Sequence, residues 1–253
     1  MMTRDEAILQ FLLRMGDNTL ILGHRVSEWC GHAPVLEEDI ALANTALDLI
    51  GQTQMWLGLA GDIDGGKSAD DLAFLRDAWD FRNVLLVEVP NGDFGRTLMR
   101  QFLFDAWHSI MLGRLMKSSD ERVAAIAAKA SKEVTYHLER SGDTVVGLGD
   151  GTEESHARMQ EALDYLWPYV GEMFASDDVD AEMVAAGITP NPASLRAEYD
   201  ALIMRVLSEA TLTIPESRFA HKGGRDGRMH TEHLGHLLTQ MQWLQRAYPG
   251  ASW

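Results

Sequence analysis

The residues of this chain that could do chemistry are carboxylates and histidines three or four positions apart. A carboxylate-bridged di-iron centre in a helical bundle needs one Glu from each of two helices and a Glu-x-x-His pair from each of two others. The only literal pair in the sequence is Glu153 with His156, directly after a Gly-Asp-Gly loop. Acidic residues in a first helical turn are ordinarily solvated and favoured by the helix dipole. One pair without a second is not a site, so this match predicts a helix start.

Four near matches lie in stretches with apolar, helical patterns. They are Asp105 with His108, Glu133 with His137, His24 with Glu28, and Asn44 with Asp48. Both spacings place the two side chains on one helix face. Taken singly, such residues are more often exposed or hydrogen-bonded within a core than functional. Together they predict a buried polar network, whose members must be paired because isolated buried charges are very costly.

A glycine-rich basic segment near the C-terminus is the second candidate site. Its basic residues are Lys222, Arg225 and Arg228, and they are followed by His230, His233 and His236. The segment is compatible with a metal site, or with a loop that contacts a partner or an anionic ligand at a helix N-terminus. It is also compatible with a capping segment whose histidines hydrogen-bond locally. It contains no P-loop or dinucleotide fingerprint, which argues against nucleotide binding.

Composition restricts the class of protein. Cys30 is the only cysteine among 253 residues, which excludes an intrachain disulfide and favours a reducing, cytoplasmic setting. No apolar run approaches the roughly 20 residues that span a bilayer, and the acidic start does not resemble a signal peptide. The formal net charge of −16 argues against nucleic-acid binding. It indicates a surface that favours solubility or one that meets a basic partner chain.

Helical periodicity dominates the chain, and no run alternates as a strand would. The clearest helix begins near Glu37, and its three-to-four spacing involves Ile40, Ala43, Leu47, Ile50 and Gln54. Helices are predicted at about 4–31, 37–61, 69–89, 94–117, 121–146, 153–174, 194–211 and 231–247, with a short turn at 178–186. Short connections between long helices predict an all-α bundle. We expect a single domain over 1–253, with a core bundle at about 4–148 and additional helices at about 153–247.

Several blocks of this sequence resemble the C subunits of bacterial ring-1,2-phenylacetyl-CoA epoxidases. The blocks are Arg14–Asn18, His24–Pro34, Ala41–Asn44 with Leu47–Leu49, Leu86–Gly92, Phe104–His108, Lys132–Glu133 with Tyr136–Leu138, Glu209–Leu212, His230–Gly235, Met241–Gln242, Leu244–Arg246 and Pro249–Trp253. They run from near the start of the chain to its last residue. Together they are specific, although no single block would be.

The resemblance implies a ferritin-like fold and a role in aerobic phenylacetate catabolism. In that family a related catalytic A subunit holds a di-iron centre and epoxidises the ring of phenylacetyl-CoA. A small B subunit and an iron–sulfur flavoprotein reductase complete the system. The C subunit has a structural role and supports the catalytic one. The implied partners of this chain are therefore those subunits, and the isolated chain could also form a homodimer.

Alignment with the catalytic subunit tests whether this chain keeps the metal ligands. The ligand positions fall on Glu28, on Asn44 and Leu47, on Asp105, and on Val134 and His137. Leucine and valine cannot coordinate iron, so both Glu-x-x-His pairs are broken. The resemblance thus implies neither a metal nor a cofactor in this chain. It implies a degenerate core site, in which Glu28, Asp105 and His137, with Asp48, form a salt-bridged or hydrogen-bonded remnant.

Other interpretations stay open. The chain could bind iron through Glu28, Asp105, Glu133 and His137 and act as a di-iron oxidase in its own right. It could also be a ferritin-like scaffold or storage protein without an oxygenase partner. If it is the structural subunit, the basic segment with Lys222, Arg225, Arg228 and His230 is a candidate contact for the CoA phosphates or for a partner chain.

Overall fold

A computed structural model describes residues 2–217 and 219–251. They form two compact units: residues 2–90 with 222–251 make the first, and 91–217 with 219–221 make the second. The helices of the first unit are α1 (Arg4–Ser27), α2 (Leu36–Ile63), α3 (Ala69–Phe74), α4 (Leu85–Glu88) and α10 (Glu232–Ala247). Those of the second are α5 (Phe94–Leu115), α6 (Glu121–Gly149), α7 (Glu153–Val170), α8 (Asp178–Ala185) and α9 (Arg196–Glu209).

The fold is all-α and ferritin-like, as predicted, and the described residues contain no β-strand. Within the same residues, no helix is long and apolar enough to cross a membrane. The prediction of a single domain with a core bundle at 4–148 stays a prediction.

The first unit is built on the packing of α1 along α2. Gly16 makes a close approach possible, because a Cβ there would lie 2.5 Å from Cδ2 of Leu57. One turn further along α1, the hydroxyls of Thr19 and Thr53 hydrogen-bond at 2.8 Å across the same contact. Each hydroxyl also lies within hydrogen-bond distance of a carbonyl of its own helix, and because a hydroxyl has one proton, one of the two donates to the other and that other donates to its carbonyl. These two hydroxyls are therefore satisfied within the apolar contact.

The prediction of one helix over 69–89 is wrong. The helix α3 ends at Phe74, a short 3-10 helix follows at Ala78–Asp80, and α4 covers only Leu85–Glu88. The cause lies on α1, where the side chains of Asp17 and Asn18 accept hydrogen bonds from backbone N–H groups. These N–H groups therefore bond to side-chain acceptors on α1 instead of to carbonyls of a continuous helix, and the segment is irregular.

The second unit is built on the packing of α5 along α6, with α7 and α9 beside them. Side-chain caps start several of its helices: Asp93 caps α5, Asp120 caps α6 and Thr152 caps α7. Nearly all of α5 is buried, including Phe102 and Leu112 with no exposed surface. The long, almost fully buried α5 is the element that positions the polar residues of this unit.

Most other predicted helices are present, with boundaries that differ by a few residues. The helix α1 ends at Ser27 rather than at 31, and α7 ends at Val170, where a 3-10 helix continues to Phe174. The short helix predicted near 178–186 is confirmed as α8. Pro168 lies inside α7.

Candidate functional site

Asp105 is the centre of a buried polar cluster in the second unit. It lies on α5 with no exposed surface, and its two carboxylate oxygens accept separate hydrogen bonds. Nε2 of Gln101 donates at 2.7 Å, and Oγ of Ser141 on α6 donates at 2.9 Å. Burial raises the pKa of Asp105 to about 6, although nearby His137 and both hydrogen bonds favour the charged form. The carboxylate is therefore held by neutral donors and is expensive to ionise.

Two buried histidines, His108 on α5 and His137 on α6, lie in the same unit as this carboxylate. His108 on α5 has no exposed surface, and burial lowers its pKa to about 3, with a further contribution from His137. Neither ring nitrogen of His108 hydrogen-bonds to any residue that the structure describes. Its ring instead lies against those of Phe104 and Trp107, at centroid distances of 5.2 and 6.1 Å. His108 is thus a neutral, aromatic component of the core.

The positions that the sequence assigned to a degenerate site differ in their burial. In the second unit, Val134 and His137 are buried on α6, as Asp105 is on α5. In the first unit, Asn44 and Leu47 lie on the solvent-exposed side of α2, and Leu47 is 69% exposed. These two positions do not face the core of their unit.

Glu28 and Asp48, the other assigned residues of the first unit, also lie outside its core. The Glu28 side chain is 40% exposed and pairs with Arg25 at 2.9 Å, one turn earlier on α1. Asp48 on α2 is half-buried. The degenerate site as a whole stays a prediction.

The residues present do not fit a di-iron centre. Leu47 and Val134 carry no donor atom, and Asn44 stands where a carboxylate would be needed. Throughout residues 2–217 and 219–251, no group of three or more His, Cys, Asp or Glu side chains is arranged to hold a metal ion. Both oxygens of Asp105 already serve as acceptors for protein donors. The absence of a metal centre from this chain stays a prediction.

The first unit contains a polar network that sequence reasoning missed, centred on Asp17 of α1. Asp17 has no exposed surface; Arg76 donates two hydrogen bonds to its carboxylate, and the backbone N–H of Arg82 donates a third at 2.8 Å. The Arg82 side chain in turn donates to Gln10 at 2.9 Å. This network fixes the segment between α3 and α4 against α1.

A second missed element is the pairing of Glu88 with the start of α10. Glu88 has no exposed surface, and its Oε1 accepts from Asn83 at 2.9 Å and contacts Nδ1 of His230. Its Oε2 accepts from both the backbone N–H and the hydroxyl of Thr231, each at 2.8 Å. Arg25 donates to the Glu88 carbonyl. Glu88 thus acts as the N-terminal cap of α10, which Thr231 itself does not supply.

His230 is held by contacts within the chain: its side chain is only 4% exposed, and its Nε2 lies 3.2 Å from the carbonyl of Phe81. The other basic residues of the segment lie nearer to solvent. Lys222 and Arg228 are exposed, and Arg225 is half-buried with its carbonyl bonded to Arg14 at 2.9 Å. The Arg228 side chain is 86% exposed and lies 3.6 Å from Asp226. Contact of this loop with CoA phosphates or a partner stays a prediction.

The remaining histidine candidates have local roles or surface positions. Nδ1 of His156 hydrogen-bonds to the carbonyl of Gly149 at 2.8 Å, which agrees with a helix start rather than a metal site. His236 is exposed and His233 is half-buried. Burial lowers the pKa of His24 on α1.

Comparison with known proteins places the chain in a family. The family model described as "Phenylacetic acid catabolic protein" matches residues 1–253. The chain belongs to this family. It is also 47% identical over 243 residues to the C subunit of the 1,2-phenylacetyl-CoA epoxidase of Escherichia coli (strain K12), a match that covers 96% of this chain and 98% of the relative. The resemblance drawn from the sequence blocks is thereby confirmed, and the relative is by its name one subunit of a larger epoxidase.

Proposed function

We propose that this chain is a non-catalytic, structural subunit of a phenylacetyl-CoA 1,2-epoxidase of aerobic phenylacetate catabolism. It would bind and stabilise a related catalytic A subunit, which would hold the di-iron centre. The B subunit and the iron–sulfur flavoprotein reductase would complete a cytoplasmic system. Membership of the family and the similarity to an epoxidase C subunit support this assignment.

One observation supports the non-catalytic part of the proposal: two of the positions that the resemblance assigns to di-iron ligands hold residues without a donor atom. Leu47 and Val134 interrupt both Glu-x-x-His pairs, and neither side chain can ligate a metal. In the second unit, the one buried carboxylate at these positions, Asp105, is occupied by Gln101 and Ser141. These contacts connect α5 to α6 through protein donors.

The first test is the iron content of the chain, purified alone and together with the catalytic subunit. We expect an iron-free chain that co-purifies tightly with the catalytic subunit, and iron only in the complex. Two equivalents of iron in the isolated chain would instead support the alternative, a di-iron oxidase. An iron-free chain that fails to bind the catalytic subunit would support a scaffold protein without an oxygenase partner.

The second test separates structural support from catalysis by an Asp105→Asn change. Asparagine keeps an acceptor for the neighbouring donors but removes the anionic ligand atom. We expect the variant complex to assemble and to keep its epoxidase turnover, whereas changes to the ligands of the catalytic subunit should abolish it. Loss of turnover in a complex that assembles normally would contradict a purely structural role.

A second, smaller proposal concerns the basic loop of the first unit. The exposed side chains of Lys222 and Arg228 are accessible to an anionic group, whereas His230 is held by Glu88. We propose that Lys222, Arg225 and Arg228 contact the phosphates of the CoA thioester. Replacing the three with glutamine should weaken phenylacetyl-CoA binding to the complex, more so at low salt. Unchanged affinity would remove this proposal and leave the subunit assignment intact.

A further inference from the structure

One asparagine of this chain is followed by glycine, the sequence in which an asparagine amide is lost most readily. The glycine amide nitrogen attacks the side-chain carbonyl carbon, and the missing Cβ of glycine leaves that attack unhindered. The pair is Asn91–Gly92, at the start of the second unit and directly before the cap of α5. The proposed function gives this pair no role. The asparagines of the chain are Asn18, Asn44, Asn83, Asn91 and Asn191.

The side-chain carbonyl of Asn91 is held by a buried cation. Nη2 of Arg100, a residue of α5 that is 1% exposed, donates to Oδ1 of Asn91 at 2.5 Å. The backbone carbonyl of Asn91 accepts from the hydroxyl of Thr97 at 3.1 Å. Attack on Cγ places negative charge on Oδ1, and a guanidinium already bonded to this oxygen stabilises that charge, as the donors of an oxyanion hole do. Arg100 therefore activates the side-chain carbonyl of Asn91 towards attack.

The attacking residue, Gly92, is exposed and has a φ of +62°, which glycine adopts without steric cost. Its N–H donates to none of the described residues, so no hydrogen bond has to break before the nitrogen reacts. The guanidinium of Arg96 lies against this residue, since a Cβ on Gly92 would be 3.0 Å from both Nε and Nη1 of Arg96. A cation beside the amide favours loss of its proton.

The Arg96 side chain is held in this place by contacts with α7. Its Cζ lies 4.3 Å from the centre of the Tyr165 ring, and its Nη2 lies 3.8 Å from Oε1 of Glu161. The side chain is 27% exposed, so the guanidinium is only partly solvated. One guanidinium thus lies at the carbonyl that is attacked, and another lies beside the residue that attacks it.

We propose that Asn91–Gly92 is a site of spontaneous modification, at which the folded chain converts Asn91 into aspartate and isoaspartate with Arg100 as the oxyanion donor. The Gly92 nitrogen loses its proton to water and bonds to Cγ of Asn91. The bond between Cγ and Nδ2 breaks, and Nδ2 leaves as ammonia with a proton from water. A second water opens the resulting succinimide at either of its two carbonyl carbons. The net reaction consumes one water, releases one ammonia and oxidises nothing.

The two products change the start of α5 in different ways. Aspartate places a carboxylate beside the buried Arg100, so a hydrogen bond to a neutral amide becomes an ion pair. Isoaspartate adds one carbon to the main chain just before Asp93, the N-cap of α5. The site thereby records the age of the chain as a charge next to a buried arginine. The inference rests on the geometry of residues 91–100 and of α7, and not on the proposed epoxidase role.

Incubation of the intact, folded chain at neutral pH, followed by peptide mass spectrometry, tests the reaction. We expect the peptide with Asn91 to gain the mass that replaces an amide with a carboxyl group. Part of the product should accept a methyl group from an isoaspartate methyltransferase. The matched control in the same digest is Asn44, which is exposed but lies inside α2 and precedes Thr45, and it should stay intact. If Asn91 stays intact for as long as Asn44 does, the proposal is overturned.

Substitution of the arginines tests whether the fold assists the reaction. Arg100→Gln should slow the loss of the amide about tenfold or more, since removing one oxyanion donor from an enzyme costs about 10²–10³ in rate. Arg96→Gln, at a partly exposed side chain, should slow it by a smaller factor and keeps the test valid if Arg100→Gln fails to fold. The matched control is Arg158→Gln on α7, because Arg158 is exposed, pairs with Glu154 and should not affect the rate. Equal rates in the original chain and in both Arg96→Gln and Arg100→Gln, or in Arg96→Gln alone if Arg100→Gln does not fold, would overturn the part assigned to the fold.

Discussion

Glu88 in the first unit and Asp105 in the second are both carboxylates without exposed surface, yet their surroundings differ. Glu88 accepts from Asn83 and twice from Thr231, and it pairs with His230. Among the described residues, Asp105 accepts from two neutral donors. Burial of a carboxylate alone therefore does not define a functional site. Glu88 holds two distant segments of chain together, whereas Asp105 carries a desolvation cost that its donors only partly offset.

The basic side chains of the two units also differ in whether they are charged and paired. In the first unit Arg76 pairs with the buried Asp17, and Arg25 donates to the carbonyl of Glu88. In the second unit His108 is neutral, and its pKa is lowered to about 3 by burial. The buried charges named in the first unit are paired, whereas burial in the second unit shifts the pKa values of Asp105 and His108 toward the neutral forms. Substitutions at the two carboxylates should therefore have opposite effects on stability.

The largest expected effect is at Glu88. Glu88→Ala leaves His230, Asn83 and the start of α10 without their acceptor, and removing one partner of such a buried pair costs about 3–5 kcal/mol. Urea unfolding followed by circular dichroism measures the loss in free energy. Glu88→Gln keeps one acceptor oxygen and should lose less. If Glu88→Ala and the original chain are equally stable, Glu88 does not hold the start of α10 in place.

A smaller effect of opposite sign is expected at Asp105. Its folded pKa of about 6 exceeds the ordinary value of 3.8, so the folded state binds the proton more tightly than the unfolded state does. The protonated carboxyl group contributes its full share to the free energy of unfolding below pH 3.8, and this contribution is lost as the pH rises through 6. At pH 7 the loss amounts to about 3 kcal/mol. Asp105→Asn, which stays neutral, should gain about 1–3 kcal/mol at pH 7 and nothing near pH 3.5.

Unfolding of the Asp105→Asn variant between pH 3.5 and 7 measures this change. Ser141→Ala is the useful companion, because it removes one donor to the carboxylate and should move stability in the opposite direction at pH 7. If Asp105→Asn is destabilised at pH 7 by as much as Glu88→Ala, both buried carboxylates stabilise the fold, which would contradict the opposite effects expected here.

The sequence predicts the long helices because their apolar periodicity is a local property. It fails over 69–89 because Asp17 and Asn18 of α1, distant in sequence, capture backbone N–H groups there. It also identifies a periodic face on α2 through Ile40 and Leu47. Periodicity cannot tell whether such a face is covered by its own chain, and this one is exposed.

The candidate sites show the same limit. The sequence singles out Asp105 and His137, because they lie on apolar helices with recognisable spacing, and both are buried. It misses the contact of Glu88 with His230, since the two are 142 positions apart and Glu88 has no local motif. The one available signal was that both residues lie in blocks shared with the epoxidase C subunits. A resemblance can mark such residues, but only the fold shows that they touch.

The smallest expected effect at neutral pH is at His108, and it tests whether the core of the second unit suppresses charge. Leucine has a similar volume and removes two ring nitrogens that have no partner among the described residues. His108→Leu should therefore be neutral or stabilising by about 1 kcal/mol at pH 7. Because the folded pKa of His108 is lowered to about 3 from 6.5, its stability is present above pH 6.5 and is lost as pH falls towards 3. The advantage of the variant should thus widen on acidification, opposite to that of Asp105→Asn. A clear loss at pH 7 would instead indicate that His108 hydrogen-bonds to an internal water, which would make the second unit as fully paired as the first.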